Sequence, residues 1–246
     1  MKQFIFIFLM FFTCFLFFAC RPNKKIDKKL TAEPILDSNF LYNMKPDDFS
    51  ALVEMETTFG TMKIELFFNT PNHRENFIKL AKQEFYNGLL FHRVIKGFMA
   101  QGGDPLSRNA RPKTSIGGGG TGYEVDNEIN NNYFHIKGAL AAARLSDEGN
   151  PDKKSSGSQF YIVDGSSVNT AILDQNERKY NFAYNNQQRQ LYQLLGGAPQ
   201  LDMQYTVFGR VYQGLEIIDS ICNQTVDKAD RPNQDVKIIK IKVVKE

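Results

Sequence analysis

Sulfur is scarce in this chain and badly placed for cross-linking. Only three of 246 residues are cysteines, and two of them, Cys14 and Cys20, fall within the first twenty positions. With a leader removed and Cys20 modified, Cys222 is left alone, so no intrachain disulfide is expected and stability must come from a packed core. Cys222 stands in the apolar run IIDSIC and reads as a small buried hydrophobe rather than a reactive thiol. Histidine is equally rare: there are three in all, with no cysteine or carboxylate spacing around them that would hold a metal. No metal or other cofactor is expected, and His92 and His135 read as structural hydrogen-bonding residues. Charge of one sign is missing too, since 30 basic residues offset 27 acidic ones for a net +3, scattered along the chain. That argues against nucleic acid as a partner. No Gly-x-Ser-x-Gly elbow supports a hydrolase. The glycine run of SIGGGGTGYEVDNEI has no Gly-Lys-Ser/Thr after it, which argues against a phosphate loop and for a surface loop with positive φ angles.

Long apolar stretches are confined to the start. MKQFIFIFLMFFTCFLFFAC has a basic second residue, an apolar run from Phe4 to Phe18, and Ala19 directly before Cys20. The run is short for a membrane span and is followed at once by the polar RPNKKIDKK, so residues 1–19 are expected to be a signal peptide. The Ala19-Cys20 junction resembles a bacterial lipobox, although Phe17 and Phe18 stand where such boxes usually carry leucine and a small residue. The resemblance implies lipidation at Cys20 and an exported, periplasmic, membrane-anchored lipoprotein. Residues 20–50 mix Lys, Asp and Pro without periodicity and read as a tether.

What remains, 51–246, is read as one domain, with 42% apolar and 13% aromatic residues across the chain to supply a core. VEMETT and TMKIELFF are period-two runs joined at Phe59-Gly60, which predicts a hairpin with Met62, Ile64 and Leu66 on one face. Thr70-Pro71 opens a helix whose buried stripe is Phe77, Leu80 and Ala81. GALAAARL, SQFYIV, YTVFGRVY and DVKIIKIKVV read as strands, and GLEIIDSIC as a short helix. About eight closely spaced strands with two short framework helices predict a mainly β fold, a closed antiparallel barrel. Residues 166–199 interrupt the spacing. They are rich in Asn, Gln and Tyr, with a helical pattern from Asn176 to Leu195 that Gly196-Gly197 ends, and read as an inserted helical excursion: either solvated elaboration or a lid.

FHRVIKGFMAQGGDP, residues 91–105, sets Arg93 inside a run that otherwise reads as buried strand. Arginine is seldom buried unpaired, so its guanidinium faces solvent, meets a carboxylate, or serves as a fixed donor beside an apolar cleft. This stretch resembles the central signature of the cyclophilin-type peptidyl-prolyl isomerases. NHRENFIKLA, GSQFYIV and VFGRV are similar to that family's other blocks and occur in its order. The resemblance spans about residues 52 to 244 and implies an eight-stranded antiparallel barrel with a helix closing each end, acting on X-Pro bonds of proline-containing polypeptides as a monomer.

By the same resemblance Arg93 and Gln101 are the catalytic pair. Phe98, Met99, Phe160 and Leu201 form the proline pocket, Tyr161 and Tyr205 its wall and rim, and Ala143 with Arg144 a backbone-binding edge. Arg144 replaces a common asparagine, which implies extra positive charge there. Gln200 replaces a tryptophan used for cyclosporin binding, which implies weak inhibition. The expected role is assistance to the folding of exported proteins. A module that grips proline segments with little turnover is the alternative.

Overall fold

The computed structural model describes residues 48–112 and 114–246. The signal peptide, Cys20 and the tether as far as residue 47 lie outside the described residues. The predicted hairpin forms from β1 (Ala51–Thr57) and β2 (Gly60–Leu66). Its register pairs Thr57 with Gly60, so the loop is Thr58-Phe59, one residue earlier than the sequence suggested. The Thr57 side chain accounts for that placement: its hydroxyl donates to the Gly60 carbonyl and accepts from Phe59 N–H. Met62, Ile64 and Leu66 all point into the core, as their period-two spacing requires.

Helix α1 (Pro71–Lys82) begins where Thr70-Pro71 placed it, but not for the reason the capping rule gives. Thr70 turns its hydroxyl back onto the Phe67 carbonyl, and the free N–H groups of Asn72 and His73 are taken by the Glu128 carboxylate at 3.0 Å each. An acidic group at a helix N-terminus satisfies both the orphan donors and the helix dipole. Six further strands, β3 (Arg93–Ile95), β4 (Met99–Gly102), β6 (Ala139–Ala142), β8 (Phe160–Val163), β9 (Val207–Gln213) and β10 (Ile238–Lys245), join the hairpin in one antiparallel sheet ordered β10-β1-β2-β9-β6-β8-β4-β3. A two-stranded ribbon, β5 (Glu124–Val125) with β7 (Ser155–Ser156), lies apart from it.

The sheet curls round on itself, although among the described residues no ladder zips its two edges. The seam is held by a single bridge between Leu90 and Lys237 and by main-chain bonds such as Phe91 N–H to Val236 O and Val94 N–H to Asp230 O. Inside it, residues from the strands meet α1 through Phe77, Ile78, Leu80 and Ala81, and α4 (Leu215–Cys222) through Leu215, Ile218, Ile221 and Cys222. Cys222 is buried, and burial pushes its thiol well up, as expected of an inert core cysteine.

The insertion contains two helices rather than one: α2 (Thr170–Tyr180) and α3 (Asn186–Leu195). Asn181 breaks the pattern by entering the left-handed region at φ 52°, and Asn185 restarts it with a capping box to Gln188. Arg189 of α3 clamps Asp174 and Glu177 of α2, at 2.8 and 2.6 Å. Gly196 ends α3 at φ 74°, as its position suggested.

Candidate active site

Strand register explains the eight-residue step from Arg93 to Gln101. The two are directly paired across β3 and β4, so their side chains share a face. Gln101 pairs next with Tyr161 of β8, and Tyr161 with Ala141 of β6, which extends the row along the outer face of the curled sheet. Gly97, at φ 73° in the turn between β3 and β4, donates its N–H to Asp164 at 2.7 Å, pinning the hairpin that carries the row. A cleft of about 140 Å³ opens there, lined by Arg93, Phe98, Met99, Gln101, Ala143, Arg144, Tyr161, Leu201 and Tyr205.

One expected member is missing from that lining. Phe160 belongs to the opposite face, because adjacent residues of a strand alternate and Tyr161 takes the outward position. Its ring is 1% exposed, with its centroid 5.6 Å from those of Phe77 and Tyr86 and 6.1 Å from that of Phe91, all in the barrel interior. The proline pocket assignment is therefore corrected: Phe160 is core, and the apolar floor is Phe98, Met99, Leu201 and the ring of Tyr161.

Among the described residues Arg93 is held from one side only. Its Nε donates to Asp230 at 3.3 Å, and both partners are about two-fifths exposed, at 43% and 39%. Such a pair is worth under about 1 kcal/mol and serves to orient the guanidinium rather than to neutralise it. Asp230 occupies a left-handed turn position, φ 61°, and no sequence signal ties it to a residue 137 positions away.

The amide of Gln101 is oriented by a relay. Gln159 Nε2 faces two carbonyls, Gly117 O at 2.9 Å and Gly119 O at 2.7 Å, so it must be the donor end. Gln159 Oε1 is then an acceptor and takes Gln101 Nε2 at 2.9 Å. Gln101 is left presenting its carbonyl oxygen as the end free of Gln159. The glycine run thus has a definite task. Gly117 sits at φ 102° with its N–H on the Asp104 carboxylate, and a side chain at Gly119 would strike Asp104, so the loop can lie close enough to hold Gln159.

Arg144 lines the cleft without adding free charge. Its side chain is only 4% exposed, pairs with Asp147 at 2.6 Å, donates to the Gln204 and Leu145 carbonyls, and lies 4.5 Å over the Tyr205 ring. The extra positive edge expected from sequence is neutralised by Asp147. The main-chain groups of Ala143 already bond within the fold, its N–H to Gln159 O at 3.0 Å and its carbonyl to Ser156 N–H at 2.8 Å.

His92 is buried beside the row with no partner on Nδ1. Burial, aided by the neighbouring Arg93 charge and opposed by Asp104, pushes its imidazole down to about 4. His135 is also buried, bonded to Asp202 and to the Tyr161 hydroxyl. His135 thus makes the hydrogen bonds expected of it, whereas His92 is buried with its Nδ1 unpaired among the described residues. Among the described residues no cluster of metal-ligating side chains occurs, and no helix is long and apolar enough to cross a membrane.

The model of the family "Cyclophilin type peptidyl-prolyl cis-trans isomerase/CLD" matches residues 52–243. A candidate peptidyl-prolyl cis-trans isomerase of Staphylococcus saprophyticus is 35% identical over 192 residues, which cover 77% of this chain and 90% of that one. A Staphylococcus aureus counterpart is also 35% identical over 192 residues, covering 78% and 90%. Among solved structures, a Cryptosporidium parvum cyclophilin type peptidyl-prolyl cis-trans isomerase superposes with a TM-score of 0.60 at 26% identity, over 80% of this chain and 99% of that one. The same protein solved in the presence of the dipeptide Ala-Pro gives 0.58 at 26% identity, over 79% and 99%.

Proposed function

This chain belongs to the cyclophilin-type peptidyl-prolyl cis-trans isomerase family and has that activity, and from this premise we propose that Arg93 is its catalytic donor. An X-Pro bond turns slowly because amide resonance sets a barrier of about 18–20 kcal/mol. At the twisted transition state conjugation is lost and the proline nitrogen becomes a pyramidal acceptor. A guanidinium N–H aimed at that lone pair stabilises the twisted form far more than the planar one, which is the differential binding that catalysis requires. No covalent step or net proton transfer is involved. Phe98, Met99, Leu201 and Tyr161 hold the proline ring by apolar contact, while the Gln101 carbonyl oxygen accepts a main-chain N–H of the peptide. Tyr205 forms the rim, stiffened by Arg144. The residues before the proline extend over the adjoining depression of about 350 Å³ between Arg144 and the glycine loop.

The observation that carries this reading is the register pairing of Arg93 with Gln101 on the wall of one apolar cleft. We further propose that the chain is an exported monomer, lipidated at Cys20 and held at the periplasmic face of a membrane, where it assists folding of exported proteins. The leader-like composition of residues 1–19 and the polar tether support this. A protease-coupled isomerisation assay on a proline peptide, comparing the unaltered chain with Arg93→Ala, tests the catalytic reading. The variant should lose on the order of a hundredfold in kcat/KM. Uncatalysed rates for both, with peptide still bound, would instead leave a proline-segment binding module. Mass spectrometry of the native N-terminus tests the anchor, and an unmodified Cys20 would overturn it.

A further inference from the structure

We infer that Tyr184 and Tyr192 of the inserted segment 166–199 are positioning residues for the proline pocket, acting through a buried chain of hydrogen bonds that ends on Tyr161. The inference rests on the isomerase reading of that cleft. Tyr161 is 4% exposed, and its hydroxyl lies 2.9 Å from His135 Nε2. His135 Nδ1 lies 2.8 Å from Asp202 Oδ1, which also takes the His135 N–H at 2.9 Å. The other carboxylate oxygen, Oδ2, accepts the hydroxyls of Tyr184 at 2.6 Å and Tyr192 at 2.5 Å. All the links are buried, and Asp202 is fully so.

Donor and acceptor bookkeeping gives the chain a direction. An ionised carboxylate only accepts, so Nδ1 of His135 donates to Asp202, and Nε2 is left as the atom that meets the Tyr161 hydroxyl. That hydroxyl is therefore satisfied inside the network rather than at the cleft. Burial, with Tyr205 and Asp202 adding to it, holds the Tyr161 phenol well above its ordinary range, and burial does the same at Tyr184 and Tyr192, so each keeps its proton. Were the imidazole to swing away, the Tyr161 hydroxyl would need another partner, because an unsatisfied buried hydroxyl is costly. The open direction is the cleft, where a polar group would face the proline ring. The chain thus keeps that wall apolar and fixes the tilt of its ring.

The roots of the insertion are built for such a link. Gly197 bridges both Ser166 and Ile136, and Ala198 N–H donates to His135 O at 2.8 Å. A side chain on Gly197 would strike the His135 carbonyl and the Tyr192 ring. From there a short 3-10 turn, Pro199–Leu201, leads directly to Leu201 in the cleft and Asp202 in the network. Neither helix of the insertion supplies a lining residue to the cleft, so its influence there runs through contact with the wall rather than as a lid.

Removal of one hydroxyl, as Tyr192→Phe, keeps the ring and takes one donor from Asp202. Isomerisation kinetics are measured for Tyr192→Phe, Tyr161→Phe and the double variant, with thermal unfolding followed in parallel. Tyr192→Phe should lower kcat/KM about fivefold, mainly through KM, and change it less than twofold once Tyr161→Phe has cut the chain. Equal losses in both backgrounds, or no loss in either, would overturn the inference, since mere support of the fold adds independently of Tyr161. Should Tyr192→Phe fail to fold, Tyr184→Phe carries the same cycle. If the unaltered chain shows no turnover, the isomerase reading fails on its own, and the cycle is then read as the dissociation constant for Ala-Pro: coupled loss supports the positioning role and equal loss overturns it.

Discussion

Acidification should weaken this fold through His92 in particular. In the unfolded chain its imidazole titrates near the ordinary 6.5, whereas in the fold it is held down to about 4. Between those values the unfolded state binds the extra proton, so stability is fully present above about pH 6.5 and falls as pH drops toward 4. A difference of 6.5 − 4, or 2.5, corresponds to roughly 3 kcal/mol in full at 1.36 kcal/mol per unit, of which about 2 kcal/mol should be gone by pH 5. The contribution is isolated by difference: urea unfolding of the unaltered chain and of His92→Leu at pH 7.5, 6 and 5. The pairs His73–Glu128 and His135–Asp202 are common to both proteins and cancel in a comparison. The variant's stability should decline less between pH 7.5 and 5, by about 2 kcal/mol. Parallel curves for the two proteins would refute the burial argument, whatever the absolute cost of the substitution.

Two further outcomes follow from the site. Phe160→Ala should cost about 3–5 kcal/mol of stability as a core cavity, while leaving the KM of the folded fraction within about twofold. A large rise in KM with little change in stability would return Phe160 to the pocket. Gln200 is exposed at the turn before Leu201 and offers no aromatic face, so cyclosporin should inhibit weakly in the isomerisation assay; nanomolar inhibition would contradict this.

Much of the framework could be read because its signals are local. Met62, Ile64 and Leu66 announced a half-buried strand, Pro71 a helix start, and the glycine run a loop, in which Gly117 alone of the four consecutive glycines takes a positive φ. Arg93 and Gln101 could be paired because their separation spans one hairpin. Phe160 was misplaced for a physical reason: β8 is buried on both faces, so FYIV carries no alternation from which to read which side each residue takes. The break between α2 and α3 lay in Asn181 and in the Asn185 to Gln188 capping box, signals that the continuous run of Tyr184, Gln188, Leu191 and Leu195 masked. Contacts that bring distant residues together left no trace in the sequence. Glu128 on the start of α1, Asp230 on Arg93, and the Asp202 network each join residues whose spacing carries no period or motif.

The catalytic claim is that a planar guanidinium, and not positive charge alone, lowers the torsional barrier. Its most direct test is Arg93→Lys, with kcat/KM from the protease-coupled assay and Ala-Pro affinity measured on the same preparation. The account predicts a loss of about a hundredfold in kcat/KM with affinity for the planar ground state within about twofold. Undiminished turnover by the lysine variant, or a loss matched by equal loss of Ala-Pro binding, would contradict it.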